Sequence, residues 1–158
     1  MQRAYKQPVS VLVVIHNPAG GILLLERADR AGFWQSVTGS LEEGESPFQA
    51  ALREVAEETG VAASADALYD WHYSSEYEIY AYWRHRYAPG VTHNREHVFS
   101  LCIAADTAVK LAIGEHLAWG WFAPEAAAER VFSPSNREAI LALPQRRACR
   151  DHSRTKSE

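Results

Sequence analysis

Between Gly39 and Val61 the chain reads GSLEEGESPFQAALREVAEETGV, and no other segment constrains the fold as much. Ser46 is a strong N-cap residue, Pro47 suits the first helical position, and Gln49 stands three after Ser46, the spacing of a capping box. Gly60 supplies a C-terminal stop. The spacing predicts a helix over 47–59. At about 100° per residue, Phe48, Ala51, Leu52, Val55 and Thr59 form one stripe for the core. Glu54, Glu57 and Glu58 fall on an adjoining arc, with Arg53 beside them.

The charges of this segment are unusual for a solvated helix face. From Gly39 to Gly60 there are six acids and one base, a local charge of -5 against -4 for all 158 residues. Glu54 and Glu58 are like charges at i,i+4, which destabilises a bare helix. The acids also come late in the helix, where the macrodipole disfavours them. Bound cations would reverse both penalties. Hard divalent ions take oxygen ligands, and Mg²⁺ commonly keeps several waters and binds through one or two carboxylates together with substrate phosphates.

Size and composition fit this reading. A chain of 158 residues, 47% hydrophobic and 23% charged, suits one soluble domain with a real core. No apolar run approaches the ~20 residues of a membrane span. The N-terminal apolar segment is short and β-branched, a strand rather than a leader. No membrane partner is therefore expected. The lack of a basic excess argues against nucleic acid as a partner. Two cysteines give no disulfide framework and no CxxC site, so a cytoplasmic location is the default. His85, His93 and His97 lie in or near a turn, without a nearby cysteine, and do not make a zinc pattern.

Along the chain, Val9 to His16 is a nearly continuous apolar run, as in a strand buried on both faces. A turn at 17–21 leads to a second strand over 22–26. A loop covers 28–34, and 35–38 is short and extended. Residues 67–87 hold two strands or one long bent strand. Further strands are expected over 96–105 and 118–122, and helices over 124–130 and 135–143, with Ser135 as N-cap of the last. Residues 1–145 read as a single domain and 146–158 as a basic C-terminal tail with no catalytic role. Pattern alone gives one α/β domain.

The segment 39–61 fits G-x5-E-x7-R-E-U-x-E-E-x-G-U (U aliphatic) at Gly39, Glu45, Arg53, Glu54, Val55, Glu57, Glu58, Gly60 and Val61. This is the Nudix box, and the chain is identified by it as resembling the Nudix hydrolases, which cleave a nucleoside diphosphate linked to another group. The resemblance implies a three-layer α/β/α sandwich with a mixed sheet. It implies Mg²⁺, or Mn²⁺ in its place, held by Glu54 and Glu58, with Glu57 as a ligand or as the base that activates water. Arg53 is similar to the family arginine that orients a box glutamate, Glu45 to an acid that fixes the loop, and Gly39 and Gly60 to positions where a side chain would obstruct.

Pieces outside the box resemble one branch of the family: residues 5–15, 33–45, 84–91, 115–121 and 135–140. That branch hydrolyses 7,8-dihydroneopterin 3'-triphosphate to the monophosphate and pyrophosphate in bacterial folate biosynthesis. Carried over by position, Lys6, Arg27 and Thr38, the strand Tyr77, Glu78, Ile79 and Tyr80, and Ser135 match substrate contacts. Glu115 matches a metal ligand outside the box. The chain departs from the pattern at Tyr77 and Tyr80, where phenylalanine-like residues are expected. Trp34, Trp71, Trp83, Trp119 and Trp121 read as core or rim rather than ligand platforms, and Trp34, in the loop before the box, is the first to test. A house-cleaning (d)NTP pyrophosphatase would share every box residue. A non-catalytic Nudix binding module would be expected to lose box glutamates, and Glu54, Glu57 and Glu58 are all present. Oligomeric state leaves no mark on the sequence.

Overall fold

The computed structural model describes residues 5–146. Seven strands make one mixed sheet: β1 (Val9–His16), β2 (Ile22–Arg27), β3 (Trp34–Gln35), β4 (Val37–Ser40), β5 (Leu68–Glu78), β6 (His93–Cys102) and β7 (His116–Phe122). Three helices accompany it: α1 (Pro47–Thr59), α2 (Pro124–Arg130) and α3 (Pro134–Arg146). A 3-10 segment spans Ala81–Arg86.

β1 is the centre of the sheet. It runs parallel to β6 from Val9↔Arg95 to His16↔Cys102 and antiparallel to β4 from Ser10↔Ser40 to Val13↔Val37. It also meets β2 at His16↔Ile22. Its apolar run divides by parity, as alternating side chains require. Val11, Val13 and Ile15 join Ala51, Val55 and Phe99 in the core under α1. Leu12 and Val14 join Ala127, Ala128, Ile140 and Leu143 in the core under α2 and α3. The three-layer sandwich implied by the box is therefore present, with one core on each face of the sheet.

α1 has the predicted ends. Ser46 Oγ accepts from the Gln49 amide, Gln49 Oε1 accepts from the Ser46 amide, and Gly60 closes the helix in the left-handed region at φ 75°. The box thus folds from local rules before any tertiary contact is invoked.

Three expectations need correction. The stretch 67–87 is one strand ending at Glu78, followed by the 3-10 turn. β5 bends where its register shifts between Asp70 and Ser74, and His72 takes a positive φ of 53° there, with its amide bonded to Asp70 Oδ1. α3 begins at Pro134, so Ser133, not Ser135, is the residue before the helix. The Asn136 amide points at Ser133 Oγ, 3.4 Å away. Pro134 takes the first position, which needs no amide hydrogen. Trp34 is a core or rim ring, as expected, packed edge-on against Phe122 with Arg130 over it. α3 runs through Arg146, and the rest of the predicted tail lies outside the described residues. Cys102, the last residue of β6, is disulfide-bonded, so the cysteine count is no argument for a reducing compartment.

A polar tie fixes α3 to the sheet. Asn136 Oδ1 accepts from the Ser36 amide at 2.8 Å, and its Nδ2 donates to Ser36 Oγ at 2.9 Å. Both residues are almost wholly buried. Asn136→Ala leaves two buried groups of Ser36 without partners, and it should cost about 2–3 kcal/mol. We expect the melting temperature to fall by several degrees in a thermal scan. A shift within error of zero would mean that the tie is replaceable.

Candidate active site

The loop before α1 is held by one guanidinium. Arg53 Nε and Nη2 bond the two oxygens of Glu45 at 2.7 and 2.8 Å, and Nη2 also donates to the Ser40 carbonyl at 3.0 Å. Nη1 reaches Glu54 and, at 3.0 Å, Glu57. Glu45 Oε1 in turn accepts from the Glu42 amide. The Arg53 hydrogen bonds hold the Glu45 carboxyl below its usual range. Arg53 therefore positions two acids of the helix while Glu45 fixes the loop. Gly39 is needed where the loop leaves β4: a Cβ there would run into the Glu54 carboxylate.

The three helical glutamates differ in environment. The Glu57 side chain is about half exposed at 53%, Glu54 is at 13% and Glu58 at 4%. Burial, then the neighbouring Glu54 and Glu115, push the Glu58 carboxyl well above its usual value, while the Thr38 main chain hydrogen-bonds it and partly offsets this. Its Oε1 has no hydrogen-bond partner. His116 Nε2 is 3.7 Å from that oxygen, and His116 Nδ1 also lacks a partner. Burial and then Arg27 lower the His116 pKa, which disfavours the charged ring that would balance Glu58.

A buried carboxylate crowded by two others and short of a partner is costly without a cation. That orphaned oxygen, and the close fit of Gly39 against Glu54, are what a metal site at Glu54 and Glu58 requires. Glu115, just before β7, faces the same point closely enough to raise Glu58. Among the described residues no three His, Cys, Asp or Glu side chains are already gathered into a coordination shell. Arg53 draws Glu54 and Glu57 to itself instead. Such a site suits Mg²⁺, which keeps waters and takes substrate phosphates as ligands.

These acids form one end of a cleft of about 1280 Å³. All the residues expected from the sequence line it: Lys6, Arg27, Thr38, Arg53, Glu54, Glu57, Glu58, Tyr77, Glu78, Ile79, Tyr80, Glu115 and Ser135. Their local bonding separates them. Lys6 has its pKa lowered by partial burial and then by Arg86 and Arg27, which marks a cationic pocket. Arg27 is clamped by Asp29 at 2.6 and 2.7 Å and donates to Gln35, and Arg86 shares Asp29 at 3.2 Å. Those hydrogen bonds hold Asp29 down at about 2. Thr38 Oγ1 donates to the Val11 carbonyl, so its hydroxyl is committed to the sheet. Glu78 is paired with Arg84 at 2.6 Å. Tyr80 stacks on Tyr82 with centroids 5.5 Å apart.

Among the lining residues that were not foreseen, four stand out beside Asp29 and Arg86. His116 and Glu96 are charged or polar groups buried by tertiary packing. Trp83 and Phe132, with centroids 5.7 Å apart, form an aromatic wall, and Arg27 lies over Trp83. His116 sat within a segment already singled out, EHLAWGW, beside Glu115. Glu96 is the fourth residue of β6, after His93, Asn94 and Arg95, and no local signal marks it.

Known proteins resemble this chain over most of its length. The NUDIX domain profile matches residues 6–143. Dihydroneopterin triphosphate diphosphatase of Escherichia coli K12 is 48% identical over 141 residues, covering 87% of this chain and 93% of that protein. The protein of the same name from Haemophilus influenzae is 40% identical over 139 residues, covering 86% and 87%. The solved structure of E. coli dihydroneopterin triphosphate pyrophosphohydrolase superimposes with a TM-score of 0.84 at 46% identity, over 89% of this chain and 97% of that one. With a family match across nearly all the described residues, and the box acids gathered at one end of the cleft, this chain belongs to the Nudix family.

Proposed function

We propose that this protein is a dihydroneopterin triphosphate diphosphatase, hydrolysing 7,8-dihydroneopterin 3'-triphosphate to the monophosphate and pyrophosphate in folate biosynthesis. The observation that carries the reading is the cleft's polarity. The helical carboxylates, the cations Lys6, Arg27 and Arg86, and the rings of Tyr80, Trp83 and Phe132 line one cavity, with Arg27 over the Trp83 ring, which suits a substrate that is a triphosphate attached to a flat ring. The high identity to relatives of that name supports the same substrate.

In this reading Glu54, Glu58 and Glu115 would hold Mg²⁺ (or Mn²⁺), and Glu57 would be a further ligand or the base that takes the proton of the attacking water. The bound ion would neutralise charge on the phosphate oxygens and lower the pKa of that water. Lys6, Arg27 and Arg86 meet the remaining phosphate oxygens, Arg27 by exchanging Asp29 for substrate. Water adds to phosphorus, the bridging P–O bond breaks, and pyrophosphate leaves. Ile79, Tyr77, Tyr80, Trp83 and Phe132 cover the ring, and Thr38 and Ser135 line its path. Residues 1–145 form the single catalytic domain. A triphosphate substrate does not cross a bilayer unaided, which favours the cytoplasm. Among the described residues no helix is long and apolar enough to cross a membrane.

Glu54→Gln and Glu58→Gln should each keep the fold and lose at least about a hundredfold in kcat, since the Lewis-acid contribution of a metal is worth several kcal/mol. Near-normal turnover of both variants at saturating Mg²⁺ would remove the metal assignment.

Substrate choice is tested by a parallel turnover assay with dihydroneopterin triphosphate, dATP and 8-oxo-dGTP. We expect kcat/KM for the pterin substrate to lead by at least about tenfold, the scale of one or two pocket contacts. Pyrophosphate should be the first product. Equal or better use of a dNTP would make the protein a house-cleaning pyrophosphatase of the same family.

A further inference from the structure

One acid of the cleft sits among its cations. Asp29 lies in the loop between β2 and β3 and lines the cleft together with Arg27 and Arg86. Its two oxygens accept from Nε and Nη2 of Arg27, side by side at 2.7 and 2.6 Å. Its Oδ2 also accepts from Nη2 of Arg86 at 3.2 Å. The paired contact is the geometry by which a guanidinium binds a phosphate. Asp29 therefore occupies, with its own carboxylate, the donors that the reading above gives to substrate. The Arg27 hydrogen bonds hold it at about 2, so protonation does not release it at any ordinary pH.

A partly exposed ion pair contributes little to a fold, and neither the loop nor Arg27 depends on this one. The loop is closed by its own bonds: the Arg27 amide to the Phe33 carbonyl at 2.9 Å, the Phe33 amide to the Arg30 carbonyl at 3.0 Å, and the Gly32 amide to Glu26 Oε2 at 2.8 Å. Arg27 keeps two other anchors. Its Nη1 donates to the buried Gln35 at 3.1 Å, and its guanidinium lies 4.6 Å from the centroid of the Trp83 ring. Arg86 lies 5.7 Å from the same ring, and its carbonyl accepts from the Lys6 amide. Both arginines thus stay in place when the carboxylate is taken away. What changes is whether their donors are free.

We propose that Asp29 is a specificity-determining residue, a built-in competitor for the phosphate site of Arg27 and Arg86. An anion enters that site only by displacing a carboxylate that is already bound. The cost is the same for every ligand. A polyphosphate that also engages the acidic end through a cation outweighs it, and a small anion with these contacts alone does not. When the phosphate leaves, the carboxylate returns to the arginines, so they are not left bare and the departing product is not held. This deepens the reading above and rests on one part of it, that Arg27 and Arg86 meet phosphate oxygens. It does not rest on the pterin.

The test is calorimetric titration of the intact protein with inorganic pyrophosphate, at neutral pH and fixed ionic strength, with EDTA present so that the metal end takes no part. Asp29→Asn should bind pyrophosphate at least about tenfold tighter than wild type, the scale of one hydrogen bond to a charged group. Asp29→Ala should show the same gain. Asp29→Glu keeps the charge and should stay within about threefold of wild type. Adding Arg27→Ala to Asp29→Asn should remove the gain, which a mere change of net charge would not allow. In turnover, KM of Asp29→Asn should fall with no rise in kcat, whereas loss of a carboxylate that only orients Arg27 would raise KM. Binding by both neutral variants no tighter than wild type, a Glu variant as tight as the Asn variant, a gain that survives Arg27→Ala, or no binding by any of the proteins would each overturn the proposal. If Arg27→Ala alone weakens pyrophosphate binding and Asp29→Asn does not tighten it, the phosphate reading of Arg27 stands and this one falls. If the gain appears and turnover favours a dNTP, this one stands and the pterin reading falls.

Discussion

The guanidinium of Arg53 is the interaction on which the rest of the site depends. It spans α1, the loop and the end of β4 through Glu54, Glu57, Glu45 and the Ser40 carbonyl. A single rigid fork can do this because its donors lie in one plane. A lysine would offer a point charge and could not hold three carboxylates and a carbonyl in fixed directions. By drawing Glu54 and Glu57 aside, Arg53 keeps a strongly acidic segment from repelling itself and leaves Glu58 as the acid turned inward.

The cleft is electrostatically divided. At one end acids crowd until one of them, Glu58, is driven towards its neutral form by burial and its neighbours. In the same cavity burial, then Arg86 and Arg27, push Lys6 the other way, and Glu54 and Glu58 offset this only in part. Each group is also held locally: the acids by Arg53, the arginines by Asp29. Such a division suits a ligand that carries its own charge and its own counter-ion, as a metal-bound polyphosphate does. Arg27 and Arg86 share Asp29 rather than standing free, so the cationic end is pre-shaped in the absence of substrate.

Much of this was legible in the sequence wherever local chemistry decided the outcome. α1 begins and ends as Ser46, Pro47 and Gly60 specify, and the burial of β1 on both faces follows from its unbroken apolar run. The last helix shows the limit of the same rules. Ser133 and Ser135 are equally good caps by type, and only the preference of Pro134 for the first turn separates them. The 3-10 turn at 81–86 is rich in aromatic residues that read as strand, because the rings serve the cleft wall and not a sheet face. Glu96 and His116 were invisible for a different reason. Their burial is set by which strands become neighbours, and no spacing within either strand encodes that. Trp34 reads correctly as core or rim, but its partners Phe122 and Arg130, about a hundred residues away in sequence, are not legible from it.

The place of β1 in the sheet has a consequence for how the chain reaches this state. The first strand finds its longest partner in β6, with Val9 opposite Arg95. Closing so large a loop costs entropy before any contact rewards it, and folds rich in such pairings form slowly. During synthesis the segment VSVLVVIH emerges early and must wait for most of the domain before its parallel edge is covered. Until then it is a β-branched apolar strand with open hydrogen-bonding groups, the kind of edge that recruits other chains. The α1 box, capped by its own residues, can form in that interval, while the strand that organises both cores is completed among the last.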